Sequence, residues 1–562
     1  MLPPVDSTWA PARAADRPET KEYSWAKIRH LLGGAFTVLA CLPLVGAAVA
    51  IAAARPDTYP DGDQAVDQMG LIRAEHFAQL TGNYSRFGWD HPGPAWFYAV
   101  DTVYAPLGNH SYAFYIGVLL LHALAVVLIV TLLWRARGHL AAAVTCVLVL
   151  LYLVAIGPHF WRAVWPPYAP ILWMALLFPM AAWGAVRSNA AFVGALLAGS
   201  YAVQTHVGTA LTVFAVWAVM AVIRIAWWRW DRRTAPRARA EGSGASGLLA
   251  GGGVFLLVLM WLPPAVDEFA GQHNLSHLAT FFLTPRGQHG WHESLSALGT
   301  LLSTYTTSTV PYTLQANWEP MPASSWTAIG AFLFFIGALL VAATLVRDRF
   351  VQALALLLAV AFPVLVISVK HVVGPIYPYF LLWTTSLPMV LAIGWGALLT
   401  GQLGRVRWRF YPVASVVAAM LLLAPSGMLI GRWWSGFQRL PSPTLDRFDP
   451  YSLDAWWITQ GALGTRAPQP IVVDITKDNR IPMASGIALQ LRKAGWKIEV
   501  NSMWNYIFGP DSVASGDARI ELVLVDPKQH AQWAARLPDM RLIGRTPDAE
   551  IYLRPLYPGE SP

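Results

Sequence analysis

The chain is 562 residues long, 55% hydrophobic and only 13% charged, with 27 tryptophans and 19 tyrosines, a balance that excludes a soluble globular protein and points to a polytopic membrane protein. Its net charge of +8 does not imply a nucleic-acid partner, because the Lys and Arg residues sit in short connections between apolar runs, where they orient helices in a membrane. Both cysteines, Cys41 and Cys146, lie inside apolar runs, which excludes a disulfide framework or a CxxC metal site.

In chain order, residues 1–30 read as a disordered cytoplasmic tail, rich in Pro, Ala and charge and without a signal-peptide cleavage pattern. Residues 31–430 form the membrane domain, with eleven expected spans near 32–54, 111–134, 139–157, 170–186, 190–205, 208–228, 246–265, 326–346, 350–369, 379–400 and 411–430. The spans at 170–186 and 190–205 are the shortest against the roughly 20 residues that a bilayer core requires. Basic residues fall on alternate connections. Lys21, Lys27 and Arg29 precede the first span, Arg135 and Arg137 follow the second, and Arg187 follows the fourth. "WWRWDRRTAPRARA" (227–240), "RDR" (347–349) and "RVRWR" (405–409) follow the sixth, eighth and tenth. The positive-inside rule places these in the cytoplasm. The odd count then places loop 55–110, loop 266–325 and the C-terminus outside a plasma (inner) membrane.

The first external loop is crowded with acids: Asp57, Asp61, Asp63, Asp67 and Asp90. Past Asp63, the residues Val66, Met69, Phe77 and Leu80 share one side of a helical wheel, with Asp67, Gln68 and Glu75 opposite, which predicts a helix lying on the membrane surface. "GNYSRFGWDHPGP" interrupts it, and "AWFYAVDTVYAPLG" supplies a second, aromatic interfacial segment. A mere connection would need only a few residues. "VDEFAGQHNLSHLATFF" (266–282) reads as a further interfacial segment. His273, His277, His289 and His292 have no HExxH or carboxylate spacing that would organise a metal.

Residues 431–562 change composition and read as an extracytoplasmic α/β domain. The expected strands are 470–475, 497–500, 520–526, 541–545 and 550–554, with helices at 482–494 and 528–537. No GxGxxG or P-loop is present, which argues against a nucleotide. The segment 435–457, carrying Trp456 and Trp457, reads as a link, and the domain as a device that positions an acceptor.

At the acids of the first loop the chain resembles the GT-C superfamily of integral membrane glycosyltransferases, nearest to the protein O-mannosyltransferases and lipid A aminoarabinose transferases. Those families place an acid just after the first helix, then two juxtamembrane helices, the second opened by a motif such as D-x-H-P-P. "WDHPGP" (89–94) is similar to that motif. The resemblance implies Asp63 as the first acid, Asp90 as the second, and His91 where the families place His or Lys. Looser similarities lie in "HFWRAVWPPYAPILWMAL" (159–176), "GSYAVQTHVG" (199–208) and "IYPYFLLWTTSLPMVLA" (376–392). Where the families have an Asp-Glu pair, this chain has Asp63-Gln64, which removes an oxygen ligand that a hard cation would use. No metal ligand and no cofactor are assigned.

The implied fold is an α-helical GT-C-like membrane domain with a soluble α/β domain. The implied activity is inverting transfer of a sugar from a polyprenyl-phosphate donor to a cell-envelope glycan, lipid or protein. The residue chemistry agrees. Transfer needs a base for the acceptor hydroxyl, and a partly desolvated carboxylate such as Asp63 or Asp90 can serve. It also needs partners for the departing phosphate. Arg162, His206, Lys370 and His371 fall at expected outer ends of helices and, with His91 of the WDHPGP motif, are the candidates. A polysaccharide polymerase or a lipid-linked-sugar flippase is the alternative, but a flippase should carry cations within its spans. Apart from Arg224 near a cytoplasmic end, the span interiors here are nearly free of charge.

Overall fold

The computed structural model describes residues 19–234, 244–284, 287–303, 326–405, 410–445, 447–476, 480–536 and 540–556. Parts of the expected tail (1–18), of two basic runs (235–240 and 406–409) and of loop 266–325 lie outside them.

Among the described residues, ten helices are long and apolar enough to cross a membrane, from Lys27–Ala54 to Tyr411–Gln438. This is a multi-pass membrane protein. The remaining expected span, the fifth (190–205), forms the helix Asn189–Thr205, which at 17 residues is one turn short of the usual crossing length. It packs along Ile171–Val186 and Gly244–Ala270. Two expected boundaries move. Residues 19–30, assigned to a disordered tail, begin the 36-residue helix Glu19–Ala54. The last span runs to Gln438 rather than ending at 430, because Trp433, Trp434 and Phe437 still stack on one another.

The two ends of the bundle differ in charge. At one end Arg137, Arg405 and Asp348 meet, Arg405 at 3.8 Å, and Arg349 pairs with Asp231 at 2.9 Å. Basic residues that sequence order separates thus converge on a single surface. At the other end lies loop 55–110, folded as the helices Gly62–Glu75 and Ala95–Tyr104. The two helices touch closely: a Cβ on Gly70 would stand 2.6 Å from the Phe97 ring.

The C-terminal domain is built on a five-stranded sheet of order β2-β1-β3-β5-β4. β1 (Pro470–Ile475), β2 (Lys497–Val500) and β3 (Ile520–Val525) are parallel; β5 (Glu550–Pro555) runs antiparallel to β3 and to β4 (Arg541–Arg545). Both faces of β3 are buried, Leu522 and Leu524 on one and Val523 and Val525 on the other, which is why its sequence is a continuous apolar run.

The helix Gly62–Glu75 does not float on lipid. Leu71 and Ala74 belong to the membrane-domain core, whereas Ala65, Val66 and Met69 belong to the core of the C-terminal domain, packed on the helix Ile481–Lys493. Asp67 and Gln68, expected to face water, are 0% and 1% exposed, and Phe77, expected on the apolar side, is 81% exposed. The amphipathic pattern was real, but its partner is protein. Asp61 fastens the same junction: its carboxylate accepts from the N–H groups of Phe448 and Asp449, each at 2.8 Å, and from Ser452 Oγ at 2.7 Å.

These contacts place the C-terminal domain at the same end of the bundle as loop 55–110. The chain must therefore cross an even number of times between that loop and Gln438. Among the described residues nine of the ten long spans lie in that stretch, and Asn189–Thr205 is the described helix left to supply a tenth crossing despite its length.

Candidate functional site

Asp63 opens the helix Gly62–Glu75 and is half-buried. Oδ1 accepts from the Tyr84 hydroxyl at 2.5 Å and Oδ2 from Trp165 Nε1–H at 3.0 Å. Burial raises its pKa above the usual carboxylate range, and the two hydrogen bonds oppose this by favouring the charged form. Gln64 turns away, accepting from Tyr115.

Asp63 lies on a cavity of about 670 Å³ that brings together His91, His206 and His371 of the expected site residues. His91 Nδ1 accepts from the Val207 N–H at 3.1 Å, which leaves its proton on Nε2. Its ring lies 5.1 Å from that of His206. Burial, and then His206, push the pKa of His91 well below the usual histidine range. His91, expected as a partner of the donor phosphate, is placed to donate through Nε2–H. His371 Nδ1 donates to the Ile367 carbonyl at 2.7 Å, and Nε2 meets the Gln288 amide at 3.0 Å.

Three expected residues stand outside this lining. Asp90 Oδ2 accepts from Thr81 Oγ1 at 2.7 Å, and burial raises its pKa to about 6. Its backbone is held on both sides by Asn274, whose Oδ1 accepts from the Asp90 N–H at 2.8 Å and whose Nδ2 donates to the Asp90 carbonyl at 2.9 Å. Arg162 donates to the Pro441 carbonyl at 2.6 Å and ties the membrane domain to the linker. The Lys370 ammonium rests 4.0 Å over the Trp291 ring. Position along a helix says nothing of which way these two cations turn, and both turn away from the cavity lining.

Sequence reasoning missed Tyr84, Trp165 and Arg86. Arg86 is the cation that the lining contributes among the described residues, lying 5.0 Å from the Phe87 ring centroid and 5.7 Å from that of Tyr377. The signal was present: Tyr84 and Arg86 occur in the quoted loop, and Trp165 lies three residues past Arg162. The Gly-Pro part of the motif WDHPGP acts through its backbone. A Cβ on Gly93 would collide with the Gln204 amide, and Gln204 Oε1 accepts from the Ala95 N–H at 3.2 Å.

The rest of the cavity is apolar. Phe281 and Phe282 close one side, as expected of the segment 266–282, and Leu211, Phe214 and Ile367 line the other. Those last three are 47%, 51% and 42% exposed on the outside of the bundle, so the cavity abuts the lipid-facing surface. Polar groups at one end and lipid-facing carbon at the other suit a molecule that is itself amphipathic. Among the described residues, no group of three His, Cys, Asp or Glu side chains is placed to hold a metal ion.

No family model and no curated protein sequence matches the chain. Solved structures do. The chain is similar to ArnT from Cupriavidus metallidurans bound to undecaprenyl phosphate, with a TM-score of 0.54 and 14% identity over 94% of this chain and 98% of that one. It is similar to the apo state of the same ArnT with a TM-score of 0.53 and 16% identity over 95% and 98%. The chain shares the fold of these ArnT structures, so the expected fold class, a polytopic α-helical membrane domain with a C-terminal α/β domain, is borne out.

Proposed function

We propose that the protein is an inverting membrane glycosyltransferase that moves a sugar from a polyprenyl phosphate to an extracytoplasmic cell-envelope acceptor, with Asp63 as general base. The observation that carries this reading is the cavity joining the half-buried Asp63 carboxylate, Arg86 and His91 to a lipid-facing apolar wall. The ArnT structure with undecaprenyl phosphate supports the donor class.

In this account the isoprenoid lies along Leu211, Phe214 and Ile367, and the phosphate meets Arg86 and the Nε2–H of His91. The acceptor oxygen attacks the anomeric carbon from the face opposite the phosphate. As that bond forms, the bond from the anomeric carbon to the phosphate oxygen breaks, and its electron pair leaves on the polyprenyl phosphate. The hydroxyl proton passes to Asp63. Raised basicity from burial makes Asp63 a better base than an exposed carboxylate, and Arg86 takes up the charge that develops on the leaving oxygen. Asp90 lies outside the lining, so we assign it to positioning the motif rather than to proton transfer.

The test is a proteoliposome assay in which radiolabelled polyprenyl-phosphate sugars of several kinds are supplied with an envelope lipid and glycan extract. Label appearing in the acceptor fraction with stoichiometric polyprenyl phosphate supports the reading. Flipping of intact donor without cleavage contradicts it and favours the flippase.

A further inference from the structure

A second cavity, of about 740 Å³, lies at the other end of the helix Gly62–Glu75, bounded by Arg55, Thr58 and Glu75 and by His110, Ser111 and Lys493. Asp63 and this end of the helix are separated by about 13 residues, or roughly 20 Å of helix, so this is not the cavity of the reaction site. Arg55 follows the last turn of the first span and Ser111 begins the second, so the cavity sits where two spans leave the lipid. The end of the helix Ile481–Lys493 roofs it.

Its charges do not balance. Arg55, Arg492 and Lys493 line it against the acids Asp57 and Glu75. Arg492 pairs with Asp511 at 2.7 Å, and Glu75 accepts from Asn109 at 2.9 Å. Lys493 is different. Its stem is exposed, but its ammonium reaches inward, donating to Gln68 Oε1 at 3.1 Å and Ser111 Oγ at 2.9 Å. Both partners are neutral, and among the described residues no carboxylate pairs with it. Burial accordingly draws its pKa down to about 8. Beside it, the Thr58 hydroxyl is buried with no hydrogen-bond partner among the described residues.

An ammonium held only by neutral partners, beside an open cavity, is a site that an anion would stabilise. Here a cavity stands open next to it, with Arg55 and Thr58 as further donors. We propose that this cavity binds the phosphate of an acidic membrane lipid, with Lys493 and Arg55 as its charged contacts. The position at the ends of two spans selects a lipid over a soluble anion, because acyl chains can stay in the bilayer beside the first span while the headgroup enters. Such a lipid would join the first span, the Gly62–Glu75 helix and the C-terminal domain at one point. The inference is independent of the transfer reaction.

The test uses the full-length protein, purified in detergent and incubated with dioleoylphosphatidylglycerol, dioleoylphosphatidylcholine or inorganic phosphate, read by native mass spectrometry and by Tm. The expected result is retention of phosphatidylglycerol with a raised Tm, and no effect of the other two. Lys493→Gln combined with Arg55→Gln lowers retention at least tenfold, and Lys493→Arg preserves it. Should the double variant not fold, Arg55→Gln alone, at an exposed position, is expected to lower retention at least threefold. Equal retention of both lipids, unchanged retention in the variants, or displacement of phosphatidylglycerol by millimolar inorganic phosphate would each overturn the assignment.

Discussion

The Tyr84 hydroxyl donates to Asp63 Oδ1 at 2.5 Å while Trp165 holds Oδ2 at 3.0 Å. Both bonds favour the ionised carboxylate, whereas burial favours the neutral one and wins. Activity that needs ionised Asp63 must then rise with pH along an acid limb lying above the ordinary carboxylate range. Removing a bond that stabilises the charged form moves this limb to higher pH. Tyr84→Phe should shift it upward by roughly one to two units, given about 1.5–3 kcal/mol for a hydrogen bond to a charged group. The measurement is kcat/KM against pH for wild type and Tyr84→Phe. A limb that stays in place would mean that Asp63 is not the group being titrated.

Asn274 is expected to position the reaction site without touching substrate. It is 4% exposed, grips the Asp90 backbone on both sides, and is itself held by Asp267 Oδ2 at 2.9 Å. Asn274→Ala frees the turn that carries His91. The expected loss in kcat is roughly tenfold to a hundredfold, the scale of a small misplacement of reacting groups. Asn274→Asp keeps the acceptor for the Asp90 N–H but not the donor to its carbonyl, and should lie between wild type and Asn274→Ala.

Asp67 is fully buried, and neither of its carboxylate oxygens has a hydrogen-bond partner among the described residues. Burial, and then the charge of Asp63, raise its pKa well above the usual value. A folded state that prefers the protonated acid is most favoured below the unfolded pKa, near about 4, and loses that advantage as pH rises towards the folded pKa. Asp67→Asn removes the dependence. Its Tm relative to wild type should therefore be more favourable at pH 8 than at pH 5, as thermal unfolding at both pH values would show. A difference independent of pH would mean that Asp67 does not change its charge on folding.

The junction at Asp61 carries a fourth prediction. Asp61→Ala leaves the Phe448 and Asp449 N–H groups and the buried Ser452 hydroxyl without their acceptor, a loss on the order of 3 kcal/mol. Limited proteolysis should then cut the linker between Gln438 and Ser452 much faster than in wild type. Truncation after residue 432, attractive if the domain were an appendage, is the wrong experiment. It would expose Ala65, Val66 and Met69 and disturb the helix that bears Asp63.

Much of the architecture was legible because its signals are local. The spans follow from apolar length, and the five strands of the C-terminal domain from short apolar runs between turns. The short crossing Asn189–Thr205 was readable through the alternation of basic clusters, although its length alone argues against it. What the sequence hid is tertiary. Val66 and Met69 mark an amphipathic helix whether the partner is lipid or protein, and only the packed domain shows which. Arg162 and Lys370 lie at the expected ends of their helices, but side-chain direction depends on neighbours distant in sequence, Pro441 and Trp291. Tyr84 and Trp165 carry no motif; they matter because folding brings them to opposite oxygens of Asp63.

The central claim, that Asp63 is the base of a sugar transfer from a polyprenyl phosphate, is tested most directly by single-turnover kinetics of Asp63→Asn in proteoliposomes with the donor that the wild type uses. The account predicts that donor binding, measured with labelled polyprenyl-phosphate sugar, stays within about threefold of wild type, while the transfer step falls by roughly a thousandfold or more, the order of a lost general base. Transfer by Asp63→Asn at a rate near wild type, with Asp90→Asn inactive, would contradict it.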